Sequence, residues 1–219
     1  MIKEIYLIRH SKPLKINNDK NIDSLQIQNE KQPLSIEGEN IAREKLDIDE
    51  LKNIDKLYSS SYVRAISTAK YIAQNNNIEI NVDTDFGERK FGINSWEELP
   101  ADFGKKQFLD ENYKTNFGES QKEVRKRTLN ALMNTLKGDE KKIAIVFHST
   151  AMLFLLKNWC KITPNEEDFS YKFLFDNNII FDNKIDYCEV FKLTFDNEKL
   201  IDIKNIEEWY MYQELKLGF

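Results

Sequence analysis

His10 and His148 are the chain's only two histidines, and each stands directly after a short apolar run. One run ends Leu7-Ile8-Arg9-His10, and the other is Ile143-Ala-Ile-Val-Phe147 followed by His148. Arg9 adjoins the first histidine, and Arg64 follows a third run, Ile54 to Tyr58, and the triplet Ser59-Ser60-Ser61. A neutral imidazole, oriented through its second nitrogen, is a competent nucleophile. A guanidinium offers a fixed fork of donors matched to phosphate oxygens. Four cationic or potentially cationic groups on one edge of a sheet are costly unless an anion normally sits among them. Phosphoryl transfer asks a protein mainly for positioning and charge stabilisation, so these residues read as a phosphoryl site with a histidine nucleophile. The remaining need is a proton donor for the leaving oxygen. Glu88, in the loop after the Ile78 to Val82 run, is the strongest candidate, with Asp83 and Asp85 as neighbours.

These residues must be carried by elements that bring them together. Ile5 to Ile8 and Ile143 to Phe147 are nearly continuous apolar runs, as in central parallel strands covered on both faces. Ile54 to Tyr58 and Ile78 to Val82 are further strands. A helix is expected from Pro33-Leu34-Ser35 to Leu46 with Ser35 as N-cap, and a second, capped by Ser59-Ser60-Ser61, through Ala65, Ala69, Ile72 and Ala73. Others run from about Ser120 to Leu136 and from Thr150 to Trp159, and both helix starts after Ser60 and Ser149 would aim N–H groups at an anion. Residues 12–31 read as a polar loop, and residues 96–117, with five aromatics, as a helical lid or substrate insertion. A late hairpin joins Tyr187–Phe195 to Leu200–Ile203. Alternating strands and helices mean an α/β fold, a three-layer sandwich with a mainly parallel central sheet flanked by helices. Ligands of such sheets bind beyond the carboxyl ends of the strands, where both histidines and Arg9 fall.

The same residues carry a resemblance. Leu7-Ile8-Arg9-His10-Ser11 resembles the Arg-His-Gly signature of the histidine phosphatase superfamily, whose fold is phosphoglycerate mutase-like. Leu34-Ser35 with Gly38, the Ser59 to Ala69 block containing Arg64, Glu88-Arg89-Lys90-Phe91-Gly92, Gly118-Glu119-Ser120 and Phe147-His148-Ser149 match further family segments in order. The resemblance spans residues 5 to about 155. It implies that His10 becomes phosphohistidine, that Arg9, Arg64 and His148 bind the phosphoryl oxygens, and that Glu88 protonates the leaving alcohol. It implies no metal and no cofactor. Ser11 and Ser149 replace the glycines usual after each histidine; they would supply space, backbone N–H groups or a hydroxyl contact to the phosphate. Ile93-Asn94-Ser95-Trp96-Glu97 is closer to the phosphatase branch's Gly-x-Trp-Glu-Gly than to the mutase run, which favours a hydrolase. The rival readings are a cofactor-dependent phosphoglycerate mutase and a catalytically silent phospho-ligand module.

Composition sets the outer bounds. With 32 basic and 37 acidic residues the net charge is −5, which speaks against nucleic acid and anionic membranes as partners. No apolar run approaches the roughly 20 residues that span a bilayer. The N-terminal residues do not read as a signal peptide. Two cysteines without a CxxC spacing fit a reducing cytoplasm. With 4 prolines, 7 glycines and no linker-like stretch, residues 1–219 read as one domain. The expected partner is a small phosphorylated substrate, its identity set by residues 12–31 and 96–117. Trp209-Tyr210-Met211-Tyr212 could pack on the sheet or on a second subunit, so a homodimer stays open.

Overall fold

The computed structural model describes residues 1–16, 23–165, 168 and 170–206. The central sheet has six strands in the order β3-β2-β4-β1-β8-β9. These are β1 (Ile2–Arg9), β2 (Lys56–Ser59), β3 (Ile80–Val82), β4 (Lys142–Phe147), β8 (Val190–Asp196) and β9 (Lys199–Asn205). The first four run parallel, and β8 and β9 add an antiparallel flank. β1 is apolar on both faces for a physical reason: Ile5 and Leu7 enter one core and Tyr6 and Ile8 the other. β4 divides the same way, Ile143, Ile145 and Phe147 against Ala144 and Val146. The second core lies under α2 (Ile36–Lys45) and α3 (Val63–Asn76), through Ala42, Ala65, Ala69 and Ile72. The first lies under α5 (Gln121–Thr135) and α6 (Ser149–Leu156), through Val124, Leu132, Met152 and Leu156. This is the expected three-layer α/β sandwich.

Register does the positioning. Arg9 pairs with Phe147, and the His10 N–H donates to the Phe147 carbonyl at 2.9 Å. Ser59 pairs with Val146, and the Ser60 N–H donates to the Val146 carbonyl at 3.0 Å. His10, His148 and Ser60 therefore leave adjacent parallel strands at one level. Ser35 and Ser120 cap α2 and α5 as expected, the latter in a reciprocal capping box with Glu123.

Three expectations change. The serine triplet does not cap α3: its N-cap is Tyr62, which makes no side-chain cap bond, and Ser60 spends its hydroxyl on His148. Part of the polar 12–31 segment is a short helix, α1 (Leu25–Lys31), which buries no residue and so had no apolar stripe to reveal it. Between α6 and β8 the chain builds a second, antiparallel sheet of β5 (Lys161–Pro164), β6 (Tyr171–Phe175) and β7 (Asn178–Asn183). Asp176 and Asn177, both at positive φ, form the two-residue turn between β6 and β7. Residues 96–117 hold a single 3-10 turn (Trp96–Glu98) and α4 (Phe103–Leu109). α4 buries Phe103 and Gln107, and Gln121 of α5 donates to the Gln107 and Phe108 carbonyls. The Trp209–Tyr212 segment lies outside the described residues.

Candidate active site

His10 lies 6% exposed beyond the end of β1, and its two ring nitrogens have different neighbours. Nδ1 stands 2.7 Å from the Ser11 carbonyl, which can only accept, so Nδ1 carries the proton. Nε2 accepts from Arg64 Nε at 3.1 Å and so presents its lone pair to the site. Burial, and then the Arg64 and Arg9 cations, hold the His10 pKa well below the ordinary histidine value. The imidazole is neutral at pH 7, the state a nucleophile needs.

His148 is the N-cap of α6 and fully buried. Its Nδ1 receives Arg64 Nη2 at 3.3 Å and its Nε2 faces Ser60 Oγ at 2.8 Å. Since a guanidinium only donates, the proton sits on Nε2. Burial, and then His10 and Arg64, depress this pKa well below the ordinary value too. The rings of His10 and His148 meet edge to face at 5.0 Å.

Arg64, 4% exposed in the first turn of α3, turns its Nε–Nη2 edge toward both imidazoles. Its Nη1 donates to the Asn29 carbonyl of α1, and its plane lies 4.7 Å from the Tyr62 ring centre. No carboxylate contacts it among the described residues. A fork aimed at two neutral rings, with Glu88 near enough to favour its charge but not in contact, is what a phosphoryl dianion would complete. Arg9 is half-buried: Nη1 donates to the Ile185 carbonyl, Nε has no hydrogen-bond partner, and the guanidinium stacks 4.4 Å over Tyr187.

Glu88 sits on the N-terminus of α6, beside His148. Its carboxylate accepts from the N–H groups of Thr150 at 3.3 Å, Ala151 at 3.1 Å and Arg89 at 2.8 Å. Asp83 instead caps a 3-10 turn by accepting from the Asp85 N–H. Ser11 is fully buried and faces the fold rather than the phosphoryl pocket: its hydroxyl donates to the Gly38 carbonyl at 2.6 Å and its N–H to Thr68 Oγ1 at 2.9 Å. Ser149 is the first residue of α6 and lines the adjoining cleft.

Two residues to which the sequence reading gave no part in the site support it. Arg127 of α5 donates to the carbonyls of Asp85, Gly87 and Glu88 and makes a two-pronged ion pair with Glu119. Burial acts to raise the Glu119 pKa, but the Arg127 hydrogen bonds and charge outweigh it and leave it lowered. Glu119 also accepts from the Lys90 N–H, so the loop carrying Glu88 is tied down on both sides. The only hint in the sequence was the Gly118-Glu119-Ser120 segment seven residues before Arg127, where Glu119 read simply as a favourable helix-start residue.

Comparison with known proteins bears on the family and the fold. The family model of the histidine phosphatase superfamily, branch 1, matches residues 5–200. No curated protein sequence matches significantly. Among solved structures, a mycobacterial glucosyl-3-phosphoglycerate phosphatase superposes with a TM-score of 0.67 at 15% identity, over 94% of this chain and 98% of that one. YhfR of Bacillus stearothermophilus gives 0.61 at 20% identity, over 91% and 94%. A phosphoglycerate mutase of Bacillus anthracis gives 0.62 at 16% identity, over 94% and 92%. At these identities the structures attest the fold, and the family model, covering most of the chain, attests the membership. The chain belongs to branch 1 of the histidine phosphatase superfamily.

Proposed function

We propose that the protein is a phosphomonoesterase that hydrolyses a small phosphorylated metabolite in the cytoplasm through a phosphohistidine on His10. The observation that carries this reading is the Arg64 fork facing the lone pair of a buried, neutral His10. In the first step Nε2 attacks phosphorus, an N–P bond forms, and the ester P–O bond breaks. Glu88, in its acid form, gives a proton to the leaving oxygen. Water then attacks phosphorus, returns its proton to Glu88, and the N–P bond breaks to release phosphate. Arg9 and Arg64 carry the charge that builds on the equatorial oxygens. His148 joins them by taking up a proton at Nδ1 as the dianion enters, because a nearby negative charge reverses the balance that keeps it neutral.

A hydrolase is favoured over a mutase by Ile93 to Glu97 and by the state of the insertion's lysines. The insertion offers Lys105, Lys106 and Lys114. Lys106 donates to the Ala101 carbonyl and Lys114 pairs with Glu123, so these two are engaged with other residues rather than gathered into a second phosphate cluster. A purified sample in chelator should hydrolyse p-nitrophenyl phosphate, and rapid quench should trap an acid-labile, base-stable phosphoprotein. Full activity of a His10→Ala variant, or a label on serine, would overturn the mechanism.

A further inference from the structure

Beside the phosphoryl site, sharing Arg9 and the start of α6 with it, lies a cleft of about 360 Å³ lined by Tyr171 of β6 and by the Lys184 to Tyr187 segment that leads into β8. Arg9, Ser149 and Thr150 line it on the side of the phosphoryl site, and Tyr171, Lys184, Asp186 and Tyr187 complete its lining, Lys184 and Asp186 being exposed. Thr150 is the residue whose N–H holds the Glu88 carboxylate, so the leaving oxygen that Glu88 protonates must depart along this side. Building on the phosphatase reading, we infer that this cleft is the leaving-group subsite and that it takes a hydroxylated ring of sugar size.

The size fits, since small-molecule pockets begin near ~300 Å³. Charge argues against a second phosphate or carboxylate on the leaving group. Arg9 is committed to the phosphoryl, and the other charged lining residues are one ammonium, Lys184, and one carboxylate, Asp186. Asp186 itself accepts from the Tyr187 N–H at 2.7 Å and lies 3.9 Å from Lys45. A rim of opposite charges offers donors and acceptors to hydroxyl groups, and the Tyr171 ring offers a surface to the C–H face of a saturated ring, one face of Tyr187 being covered by the Arg9 guanidinium. A second cleft of about 290 Å³, between α1 and Trp96, borders the site at Asn29, whose carbonyl accepts from Arg64.

The test compares kcat/KM for glucose 6-phosphate and ribose 5-phosphate with that for glycerol 3-phosphate and acetyl phosphate, in the full chain. The wild type should prefer the ring-bearing esters by about 10-fold or more, the scale of one well-filled pocket. Lys184→Ala and Tyr171→Ala should each cut that preference ratio about 5-fold or more. Tyr171 also packs against Phe108 and Phe173, whereas Lys184 is exposed, so the lysine variant keeps the test sound if the tyrosine variant misfolds. A wild-type ratio within about 2-fold of unity, or a ratio unmoved by Lys184→Ala, would overturn the subsite. Absence of His10-dependent turnover of acetyl phosphate would instead overturn the phosphatase reading, and the subsite with it.

Discussion

Two nitrogens of one imidazole divide the work at His10, and the division comes from one backbone carbonyl. Ser11 fixes the proton on Nδ1, and Arg64 marks where the lone pair points. Burial and the two arginines keep Nε2 unprotonated at pH values where an exposed histidine is protonated, its lone pair held by the Arg64 N–H until an entering phosphoryl group takes over that donor. The acid limb of kcat/KM should therefore lie below the ordinary histidine range near ~6.5. Arg64→Met should move this limb upward, since it removes one cause of the depression and leaves burial. A limb that stays fixed would show that another group governs it. Glu88→Gln keeps one acceptor oxygen, enough for the Ala151 and Arg89 N–H groups, but loses the acceptor for Thr150 and removes the transferable proton. It should slow turnover about 100-fold for alkyl phosphates and far less for p-nitrophenyl phosphate, whose leaving group needs little protonation. Equal losses for both would remove Glu88 from the acid role.

At the scale of elements, the site depends on two connections that sequence pattern does not display. One is Arg127, which reaches from α5 to the carbonyls of the Glu88 loop. Arg127→Met should lower kcat about 10- to 100-fold, with larger losses for poor leaving groups than for good ones and with KM less affected. Arg127→Lys should recover part of it. A uniform loss across leaving groups would mean a merely structural role. The other is Gly38 in α2, where a Cβ would collide with the Lys12 carbonyl while the Gly38 carbonyl holds Ser11. Gly38→Ala should cost about 1–3 kcal/mol of stability in denaturant unfolding. Strands β1, β2 and β4, and helices α2, α3, α5 and α6, were legible because burial on one or both faces leaves apolar runs or stripes, whereas β3, with no buried residue, showed only through the alternation of Ile78, Ile80 and Val82. α1 and the second sheet were not. α1 buries nothing, and the alternation of β6 and β7 is diluted by half-buried and exposed residues such as Leu174 and Ile179.

On the scale of the whole molecule, the −5 charge and the site pull in opposite directions. The acidic excess is spread over a solvated surface, while Arg9, Arg64 and both histidines converge at one sheet edge. Such convergence has a linkage consequence. Both histidine pKa values are depressed in the folded state, so below ~6.5 the unfolded chain binds protons that the folded one does not. Stability is therefore full above this value and falls as pH drops toward 5, which thermal melts across a pH series will show. His148→Asn should flatten that slope. A Tm unchanged between pH 7 and 5 would contradict it. Inorganic phosphate, binding only the folded state, should raise Tm, by the equivalent of about 2.7 kcal/mol at one hundred times its Kd. Arg64→Met should abolish that rise. Among the described residues no helix is long and apolar enough to cross a membrane.

What the sequence by itself determined was the kind of chemistry and the frame that holds it. Histidines placed directly after two-sided apolar strands are fixed at a sheet edge by strand register alone, because parallel pairing sets their level to within a residue. Local pattern also marked Arg64 and Glu88 as the matching cations and acid. Only the tertiary structure decided how these groups are supported and what adjoins them. It turned Ser11 away from the phosphoryl pocket, joined Ser60 to His148, placed Glu88 on the start of α6, and set Arg127 behind its loop. It also set one cleft against Tyr171 and Tyr187 and another between α1 and Trp96, the second lying within the segments from which specificity was expected. These are contacts between residues far apart in the chain, made by polar side chains whose spacing follows no helical or strand period. Their positions are set by how the layers pack, which no local pattern of residues encodes.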